Sequence, residues 1–307
     1  MTTVRNIVMM VGIVGLVAVA LFLGGCEEEG VGILSGTNVS ATRVETFGME
    51  FEAPLSLDID TSNGHVTVRG IAGIQTASVT VTLRSRGGTL EEAEDRLGRI
   101  VYRAAGAAPR ISLQYRSNEQ DDDVRRHSGV DFDVLVPIDS RVEVDTSNGA
   151  VSLEGIRGTM ILDTSNGAID VYNSTGTLIA DTSNGRIEVI AFVGELQLDT
   201  SNGDVWIEDF AGTVDAETSN GSVHFTGEPT AGGNRIRTSN GSITVRVPLR
   251  AAIAFDASTS SGRIRSGLPL VGDVEGDEWS ADLNPPAAVT FALRTSNGTI
   301  RIEGTDF

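Results

Sequence analysis

The feature that most constrains this chain is a tetrapeptide, Thr-Ser-Asn-Gly, which occurs eight times in 307 residues. Five of the copies follow one another at intervals of 18 residues, and they begin at Thr146, Thr164, Thr182, Thr200 and Thr218. A fixed period of this length is typical of a repeat protein in which each unit buries its apolar face against its neighbours. The chain is therefore expected to fold as one rod.

The repeated units share a pattern of apolar residues as well as the tetrapeptide. After the corner of one unit, Ile169 and Val171 alternate with polar residues, and Leu178 and Ala180 do the same after Gly176. The neighbouring units are apolar at the same positions. Alternation with a period of two residues indicates a strand with one buried face. Each unit therefore holds two short strands that glycine corners separate.

Two arrangements of these strands are open. Asn-Gly between alternating apolar residues is a strong signal for a β-hairpin, which predicts an antiparallel meander. Equal spacing favours the other arrangement, because a solenoid stacks identical residues at a strand separation of about 4.8 Å. We therefore expect an all-β fold, a parallel β-solenoid with coils of about 18 residues, resembling a β-helix or β-roll.

The corner itself is expected to form a ladder of like residues. Alternation continued through the corner predicts that Thr164 and Asn166 point inward and that Ser165 points outward. A buried Asn amide needs hydrogen-bond partners, and a column of Asn supplies them. The predicted ladder consists of Asn148, Asn166, Asn184, Asn202 and Asn220 together with Gly149, Gly167, Gly185, Gly203 and Gly221.

The ends of the array are less regular. Further corners begin at Thr61, Thr238 and Thr295, and a degenerate one begins at Thr259. Between the first corner and the array, residues 78–130 contain the one non-repetitive block, with strands at 78–85 and 111–116, a helix at about 89–103 and an acidic loop at 119–123. Thr89 and Glu92 match a capping box. The apolar stripe of this helix comprises Leu90, Ala93, Leu97, Ile100 and Val101. The block is interpreted as a short capping helix for an open sheet end, with a ligand-binding insert as the alternative.

The N-terminal segment predicts export. Residues 7–23 are apolar and follow a start that carries one positive charge. Leu23 is followed by Gly24, Gly25 and Cys26, the only cysteine. This layout is typical of a secretory signal peptide. The last four residues resemble a bacterial lipobox, which implies cleavage before Cys26 and a lipid on it; the alternatives are an uncleaved anchor or an idle thiol. The expected division is a lipoprotein signal peptide at 1–25, a flexible tether at 26–43 and the solenoid at 44–307.

Charge limits the partners. The chain carries 42 acidic residues against 23 basic ones, for a net charge of −19, and every basic residue is arginine. Nucleic acid would be repelled, and anionic lipid headgroups would not attract the chain, which leaves a lipid on Cys26 to hold it at the membrane. Only 5% of the residues are aromatic. A thin core of Val, Ile, Leu and Ala is expected, without a large apolar cavity.

No catalytic or cofactor site is predicted. The three histidines, His65, His127 and His224, share no repeat position with one another, and one cysteine cannot build a zinc site. An acidic residue opens each unit, at Asp145, Asp163, Asp181, Asp199 and Glu217. The favoured interpretation is an Asx-turn in which each Asp caps its corner. The sharper alternative is a column of Ca²⁺ sites at Asp145, Asp163, Asp181 and Asp199.

A family resemblance accompanies these features. The features concerned are the Thr-Ser-Asn-Gly corners, Val-Leu-Val-Pro at 134–137, Val-Arg-Val-Pro at 245–248, the helix between two early strands, and the closing phrases at 260–269 and 293–302. Together they resemble the bacterial putative-adhesin family, over roughly residues 44–307. That resemblance implies an extracytoplasmic β-solenoid without known catalysis. It offers no catalytic positions to carry over, and the Asn-Pro-Pro stretch at 284–286 departs from the Gly-rich turn of many relatives.

The expected function is a non-catalytic binding or scaffold module of the cell envelope, whose partner is an envelope protein or a glycan. Repeated outward side chains would offer many equal contacts, so that avidity supplies the affinity. The outward residues are expected to be Ser152, Asp170, Glu188 and Trp206 on one sheet and Ile161, Ile179, Gln197 and Asp215 on the other. The alternatives are a polysaccharide-active enzyme on a β-helix, which requires unlike acids and arginine in one groove, and a sensor of envelope stress.

Overall fold

A computed structural model of the protein describes residues 20–21, 39–51, 53–107, 109–230 and 232–306. Residues 1–19 and 22–38 lie outside the described residues. They include Cys26, most of the predicted signal peptide and most of the predicted tether. The first long strand begins at Val39, five residues before the expected start of the solenoid, because residues 39–43 pair with residues 83–87.

Most of the described chain is β-structure. The strands are β1 (Ala20–Leu21), β2 (Val39–Glu50), β3 (Leu55–Thr61), β4 (Val66–Ile71), β5 (Thr76–Gly87), β6 (Arg103–Ala107), β7 (Arg110–Tyr115), β8 (Ser128–Pro137), β9 (Ser140–Thr146), β10 (Val151–Glu154), β11 (Arg157–Thr164), β12 (Ile169–Thr182), β13 (Ile187–Thr200), β14 (Val205–Thr218), β15 (Val223–Pro229), β16 (Gly233–Thr238), β17 (Ile243–Pro248), β18 (Ile253–Thr259), β19 (Ile264–Ser266), β20 (Val271–Asp273), β21 (Glu278–Leu283), β22 (Val289–Thr295) and β23 (Ile300–Thr305). The helices are α1 (Leu90–Arg99) and α2 (Asp122–His127), preceded by a 3-10 turn at Ser117–Glu119.

Successive units lie side by side in parallel, like residue opposite like residue. Ile169 of β12 lies opposite Ile187 of β13, which lies opposite Val205 of β14. In the same strands Asp181 lies opposite Asp199. The parallel β-solenoid is therefore confirmed, and the antiparallel meander is wrong. Repeated side chains stand at the separation of neighbouring strands, about 4.8 Å.

Each coil contributes to two sheets. The strands that run into the Thr-Ser-Asn-Gly corner form what we call the front sheet, in the order β7, β3, β9, β11, β12, β13, β14, β16, β22, β18. The strands that leave the corner form the back sheet, in the order β5, β8, β4, β10, β12, β13, β14, β15, β17, β23, β19. β12, β13 and β14 belong to both sheets, because each bends from the back sheet to the front sheet partway along its length.

The bend in these long strands uses a left-handed backbone. Asn173, Ala191 and Asp209 occupy equivalent positions and have φ angles of 50°, 57° and 50°. Asn and Asp tolerate this conformation better than other L-residues, because their short side chains bond locally. A glycine with a positive φ angle, such as Gly176, follows three residues later in each coil. The second corner therefore needs two residues with positive φ angles rather than one.

The Thr-Ser-Asn-Gly corner is held by three kinds of hydrogen bond. The Thr182 hydroxyl donates to the Gly167 carbonyl of the preceding coil (3.0 Å) and accepts the N–H of Gly185 (3.2 Å). The Asn184 amide donates to Oδ1 of Asn166 (2.8 Å). Thr182 is buried as expected, but the Asn side chains are exposed. The prediction of inward Asn is wrong, because the chain turns at Ser and no longer alternates as a strand does.

Close approach of backbones explains the glycine of each corner. A Cβ atom on Gly185 would lie 1.7 Å from the carbonyl oxygen of Gly167, a distance that no side chain tolerates. The same contact recurs at Gly203, where a Cβ would lie 1.7 Å from the carbonyl oxygen of Gly185. Gly is therefore required here by packing between coils rather than by a positive φ angle.

All eight corners stack in one column, although the chain does not visit them in order. Asn148 donates to Asn63 (2.8 Å), so the coil at Thr61 adjoins the regular array. At the other end Asn297 donates to Asn240 (2.7 Å). β22 and β23 accordingly lie between the coil of β16 and β17 and the later strands β18 and β19. The order of these corners along the rod therefore differs from their order along the chain.

The N-terminal block caps the back sheet. Thr89 accepts the N–H of Glu92 (3.2 Å), and the Glu92 carboxylate accepts the N–H of Gly88 (2.9 Å). α1 buries Ala93 and Leu97 against β2 and β5, and Ile100 directly after the helix is buried too. The helix ends at Arg99, four residues earlier than expected, so the other members of the predicted apolar stripe, Leu90 and Val101, are exposed.

The predicted acidic loop is structured as well. Asp121 caps α2 by accepting the N–H of Val124 (2.9 Å). Asp123 binds Arg96 and Arg99 of α1 (2.8 Å each), and these hydrogen bonds lower the pKa of Asp123 to about 2. The acidic residues therefore join the two helices to each other. Within the described residues, no helix is long and apolar enough to cross a bilayer.

Candidate functional site

The outer faces of the two sheets present side chains in rows, one from each coil. The expected outward residues Ser152, Asp170, Glu188 and Trp206 lie opposite one another in one row of the back sheet. Ile161, Ile179, Gln197 and Asp215 form an equivalent row of the front sheet. Any partner that contacts several coils therefore meets side chains at regular intervals of one strand separation.

A row of carboxylates runs along the front sheet. Asp163 lies between Asp145 and Asp181, and the row continues through Asp199 to Glu217. Partial burial raises the pKa of Asp163, and repulsion from Asp181 raises it further. The pKa values of Asp145 and Asp199 are raised by burial first and then by neighbouring carboxylates. The row therefore concentrates negative charge along the middle of the rod.

Arginine neutralises both ends of this row. Arg116 donates two hydrogen bonds to Asp60, which extends the row at its N-terminal end (2.9 and 2.7 Å). At the other end Glu217 lies opposite Arg237, and Arg294 follows in the next strand. Uncompensated charge is thus confined to the regular coils between them.

The acidic row does not cap the corners. Among the described residues, the carboxylates of Asp145, Asp163, Asp181 and Asp199 accept no hydrogen bond, so the Asx-turn interpretation is wrong. Threonine takes that role, because its hydroxyl accepts the glycine N–H three residues later. The described part of the chain also holds no cluster of three or more His, Cys, Asp or Glu side chains that suits a metal ion. Ca²⁺ needs six to eight oxygens, and each strand offers one carboxylate to the row, so the Ca²⁺ column stays a prediction.

An aromatic pair interrupts the back-sheet row. Trp206 stacks against His224 with ring centroids 4.5 Å apart and an angle of 35° between the rings. The two residues lie opposite each other on β14 and β15. Sequence analysis singled out Trp206 and missed its partner, although His224 follows it by one full period. We call this pair the Trp206 platform.

Charged groups next to the platform are held in place. The Tyr172 hydroxyl donates to Glu188 (2.8 Å), and Arg186 donates to both Glu188 and Asp170 (3.1 Å each). Glu188 lies opposite Trp206 in the row. One end of the platform therefore meets a carboxylate whose position two neighbours fix.

A cleft of about 610 Å³ opens on the front sheet near its C-terminal end. The lining residues include Gly233, Ala254 and Ala292, whose small side chains leave space beside Asp215 and Asp256. Arg235 binds Asp215 through two hydrogen bonds (3.0 and 2.6 Å) and also lines the cleft. The period did not reveal Arg235, because the corner before it is two residues longer and places it 20 residues after Asp215.

The remaining histidines lie in different settings. The His65 ring accepts the N–H of Ala150 at the corner column (3.3 Å). His127 ends α2, with its Nδ1 2.8 Å from the carbonyl oxygen of Asp123. In these contacts each histidine ring bonds a backbone group rather than a Ser or Thr hydroxyl.

Parallel coils, a hydrogen-bonded corner column and flat outer faces define the class of the protein as a parallel β-solenoid. Residues 192–303 match the family model described as Toastrack DUF4097. The resemblance to the putative-adhesin solenoids is thereby confirmed for these coils.

Three solved structures are similar to the chain. A "putative cell adhesion protein" from Clostridium sporogenes is 10% identical, with 85% of this chain and 100% of that chain covered and a TM-score of 0.29. A "putative adhesin" from Bacteroides fragilis is 12% identical, with 85% and 97% covered and a TM-score of 0.43. One from Parabacteroides distasonis is 9% identical, with 85% and 97% covered and a TM-score of 0.35. Similarity at this level carries no argument about function. No curated protein matches the chain.

Proposed function

We propose that the protein is a non-catalytic binding or scaffold module of the cell envelope. The observation that carries this proposal is the set of outward rows, such as Asp170, Glu188 and Trp206, which repeat at one strand separation along a rigid rod. Many equal, weak contacts along such rows add up to high affinity when a partner is itself repetitive or multivalent.

The corners support a scaffold role because they make the rod rigid. Every Thr-Ser-Asn-Gly corner after the first donates an Asn amide hydrogen bond to the preceding corner of the column. Such a ladder fixes the coils relative to one another, so the outward rows stay in register and little ordering entropy is lost when a partner binds.

Anchoring at the membrane is part of the proposal. The apolar residues 7–23 followed by Leu-Gly-Gly-Cys support lipid attachment at Cys26 and an extracytoplasmic location. With a net charge of −19 the chain has no attraction of its own to anionic lipid surfaces, so the lipid would supply the membrane affinity. A sensor of envelope stress that engages a membrane partner through the rod is compatible with the same anchor.

A polysaccharide-active enzyme is the second candidate, and the front-sheet cleft favours it. The cleft brings together Asp215, Asp256 and Arg235, the unlike groups in one groove that such an enzyme needs. Against catalysis, Arg235 engages both oxygens of Asp215, and Asp256 is bound by Arg294. A glycosidase needs one protonated carboxyl group to act as the acid, and carboxylates paired with arginine suit that role poorly.

The proposal is tested by retention of the full chain on envelope fractions and on immobilised polysaccharides, compared with a variant that lacks residues 181–198. This deletion removes one coil and keeps the register of the rest. Avidity predicts that retention weakens several-fold with the lost coil. Unchanged retention, or no retention of the intact chain, contradicts the display mechanism.

Two controls accompany this experiment. A Cys26→Ala variant is expected to leave the membrane fraction while keeping its binding to polysaccharide or protein. Incubation of the polysaccharides with the intact chain is expected to release no product, and release that Asp215→Asn abolishes would establish the enzyme instead.

A further inference from the structure

The Trp206 platform is chemically unlike the rest of the outer rows. Trp206 is 36% exposed and its ring stacks on that of His224; along the row, Glu188 adjoins Trp206 and the buried Thr244 adjoins His224. The two rings lie face against face, so the indole face that is left for a ligand is the one turned toward Glu188. A surface of this kind recognises a flat ligand that is apolar on its faces and polar around its rim.

Polar groups beside the platform have bonding capacity to spare. Glu208 and Thr226 lie two residues beyond Trp206 and His224 on the same strands and the same face. Within the described part of the chain neither side chain, nor the His224 ring, forms a hydrogen bond or an ion pair. A carboxylate accepts hydrogen bonds, while a hydroxyl and an imidazole both donate and accept them. These groups suit a ligand that carries several hydroxyl groups.

We propose that the Trp206 platform binds a neutral oligosaccharide that crosses the rod along the strand direction, with one sugar ring against the indole face that His224 leaves open. The C–H bonds on the face of a sugar ring carry partial positive charge, and the face of an indole carries the negative part of its quadrupole. The sugar hydroxyls around the ring reach Glu208, Thr226 and the positioned carboxylate of Glu188, which forms charge-assisted hydrogen bonds. This inference rests on the proposed binding function and names the partner for one face of the rod.

Charge decides which glycan fits. Asp170 and Glu188 belong to the same row as the platform, and Glu208 stands beside it. The whole chain carries −19. A uronic-acid or sulfated glycan brings like charge to this row and is repelled. A neutral or N-acetylated sugar avoids that cost, and it uses the carboxylates as acceptors.

The composition of the face also favours a glycan over a protein. A stable protein interface buries at least about 1,000 Å² around an apolar core that lacks charged groups. Here Glu188 lies on the strand next to Trp206, and Glu208 lies two residues further along the strand of Trp206. The apolar area around the two rings is therefore too small for such a core. A single ring-sized contact surrounded by acceptors matches one sugar unit.

Intrinsic fluorescence tests the proposal directly, because the chain contains two tryptophans. In a full-length Trp279→Phe variant, Trp206 is the single emitter. Trp279 is half-buried and its indole N–H lacks a partner, so this substitution removes an unsatisfied donor. Titration over an array of neutral tetrasaccharides that includes cellotetraose and chitotetraose is expected to give a saturable shift in Trp206 emission. A tetragalacturonate is expected to bind at least tenfold more weakly.

Calorimetry with the best of these probes then separates stacking from folding. Trp206→Ala is expected to weaken binding about tenfold, which corresponds to roughly 1.4 kcal/mol, and Trp206→Phe to retain part of the affinity because it keeps a ring. Val193→Ala, an exposed apolar residue at the bend of β13, is the matched control and is expected to bind as the intact chain does.

The inference is overturned if no neutral tetrasaccharide shifts the emission of Trp206, or if Trp206→Ala binds as tightly as the intact chain. It is also overturned if retention on envelope fractions depends on Trp206 but disappears after protease treatment of the fractions, since the partner is then a protein. Retention that persists without Trp206 leaves the proposed binding function standing while this inference fails. Absence of any retention of the intact chain removes the proposed function itself.

Discussion

The regular coils and the C-terminal coils share one corner but differ in how the chain reaches it. From β9 to β14, successive coils pair with one another in the order of the sequence. At the C-terminal end, β22 and β23 enter between strands that precede them in the chain. The first region resembles a stack in which each unit needs only its sequence neighbours. The second requires segments more than 35 residues apart to meet before it is complete.

This difference shows that the corner, and not the order of the chain, is the unit of assembly. Asn240 pairs with Asn220 from the preceding coil and also with Asn297, which is 57 residues away, through the same amide contact. Local contacts form quickly and non-local ones slowly. We therefore expect the regular coils to fold first and the C-terminal coils to depend on the arrival of β22 and β23.

The largest expected effect comes from removing that late coil. A chain that ends at residue 288 lacks β22 and β23, so the edges of β16 and β18 lose their partners. We expect it to lose cooperative unfolding of the C-terminal region and to self-associate through the bare edges. Excision of residues 181–198 from the regular region is expected to give a folded, shorter rod. Light scattering and urea denaturation measure both, and a monomeric truncated chain of unchanged stability would contradict the comparison.

Glycine substitutions compare the corners of the two regions at the atomic level. A Cβ atom would lie 1.7 Å from a carbonyl oxygen at Gly185 and 1.8 Å from one at Gly298. Gly185→Ala and Gly298→Ala are each expected to lower the free energy of unfolding by about 3 kcal/mol or more, because backbone has to move.

The control for this pair is Gly98→Ala in α1, where a Cβ meets open space. That variant is expected to be as stable as the parent or up to about 1 kcal/mol more stable, because alanine favours a helix over glycine. Denaturant titration of the three proteins gives the comparison. A cost at Gly298 much below that at Gly185 would show that the inserted coil packs more loosely.

The asparagine ladder gives a smaller and graded effect. Asn184 donates to Asn166 and accepts from Asn202 (2.8 Å each), whereas Asn297 donates to Asn240 and receives no amide from a further coil within the described chain. Asn184→Ala is expected to cost about 1–2 kcal/mol and Asn297→Ala about half as much, since each lost hydrogen bond is worth about 1 kcal/mol. Equal costs would mean that the ladder adds nothing beyond the backbone.

A stabilising change is expected at the second corner of the regular coils. Ala191 has a φ angle of 57°, which costs an L-residue about 1–2 kcal/mol. Ala191→Gly relieves that strain at some cost in chain entropy and is expected to raise the free energy of unfolding by about 0.5–1 kcal/mol. Ala180→Gly, at a buried strand position, is the control and is expected to destabilise. A thermal melt of the two variants decides the sign.

The smallest effect is a dependence on pH that belongs to the regular region. Burial and neighbouring carboxylates raise the folded-state pKa of Asp145, Asp163 and Asp199. The folded chain therefore binds these protons more readily than the unfolded chain does. Their contribution to stability is present below the unfolded pKa of about 3.9 and is lost as pH rises through the raised values.

Acidification from neutral pH toward the unfolded pKa of about 3.9 is thus expected to increase the stability of the rod by a few tenths of a kcal/mol, since the groups are mostly exposed. The combined Asp145→Asn, Asp163→Asn and Asp199→Asn variant should lose this slope. Asp123, whose pKa is lowered to about 2, acts in the opposite direction and only in stronger acid. A slope that the triple variant retains would place its origin elsewhere.

Much of the architecture could be predicted because equal spacing in a repeat indicates which residues lie opposite one another on neighbouring strands. Equal spacing placed Asp163 beside Asp181 and made the parallel stack a better interpretation than the hairpins. Spacing carries no such information where it changes, so the positions of the coils at Thr61 and Thr295 had to come from the structure. The exposure of Asn166 was mispredicted for a local reason, because strand alternation does not extend through a turn.

The candidate site was predictable only in part. Trp206 and its row followed from the period, and His224 was within reach of the same argument. The cleft was not, because it depends on Ala292, a residue of the inserted strand that lies next to Arg235 only after the C-terminal coil has entered. Likewise the hydrogen bond that each corner threonine donates to the preceding coil could not be predicted, because no single unit contains both partners.

The position of β22 and β23 has a consequence for biogenesis. During synthesis or export, residues 253–283 emerge before residues 289–305, yet they bind to the outer side of the strands that those later residues form. Until the following segment has been synthesised, β18 has β21 on one side but lacks β22 on the other, and β19 lacks β23. For that interval the growing chain exposes two unpaired sheet edges. A chaperone would bind the chain in that state, because unpaired edges are prone to aggregation.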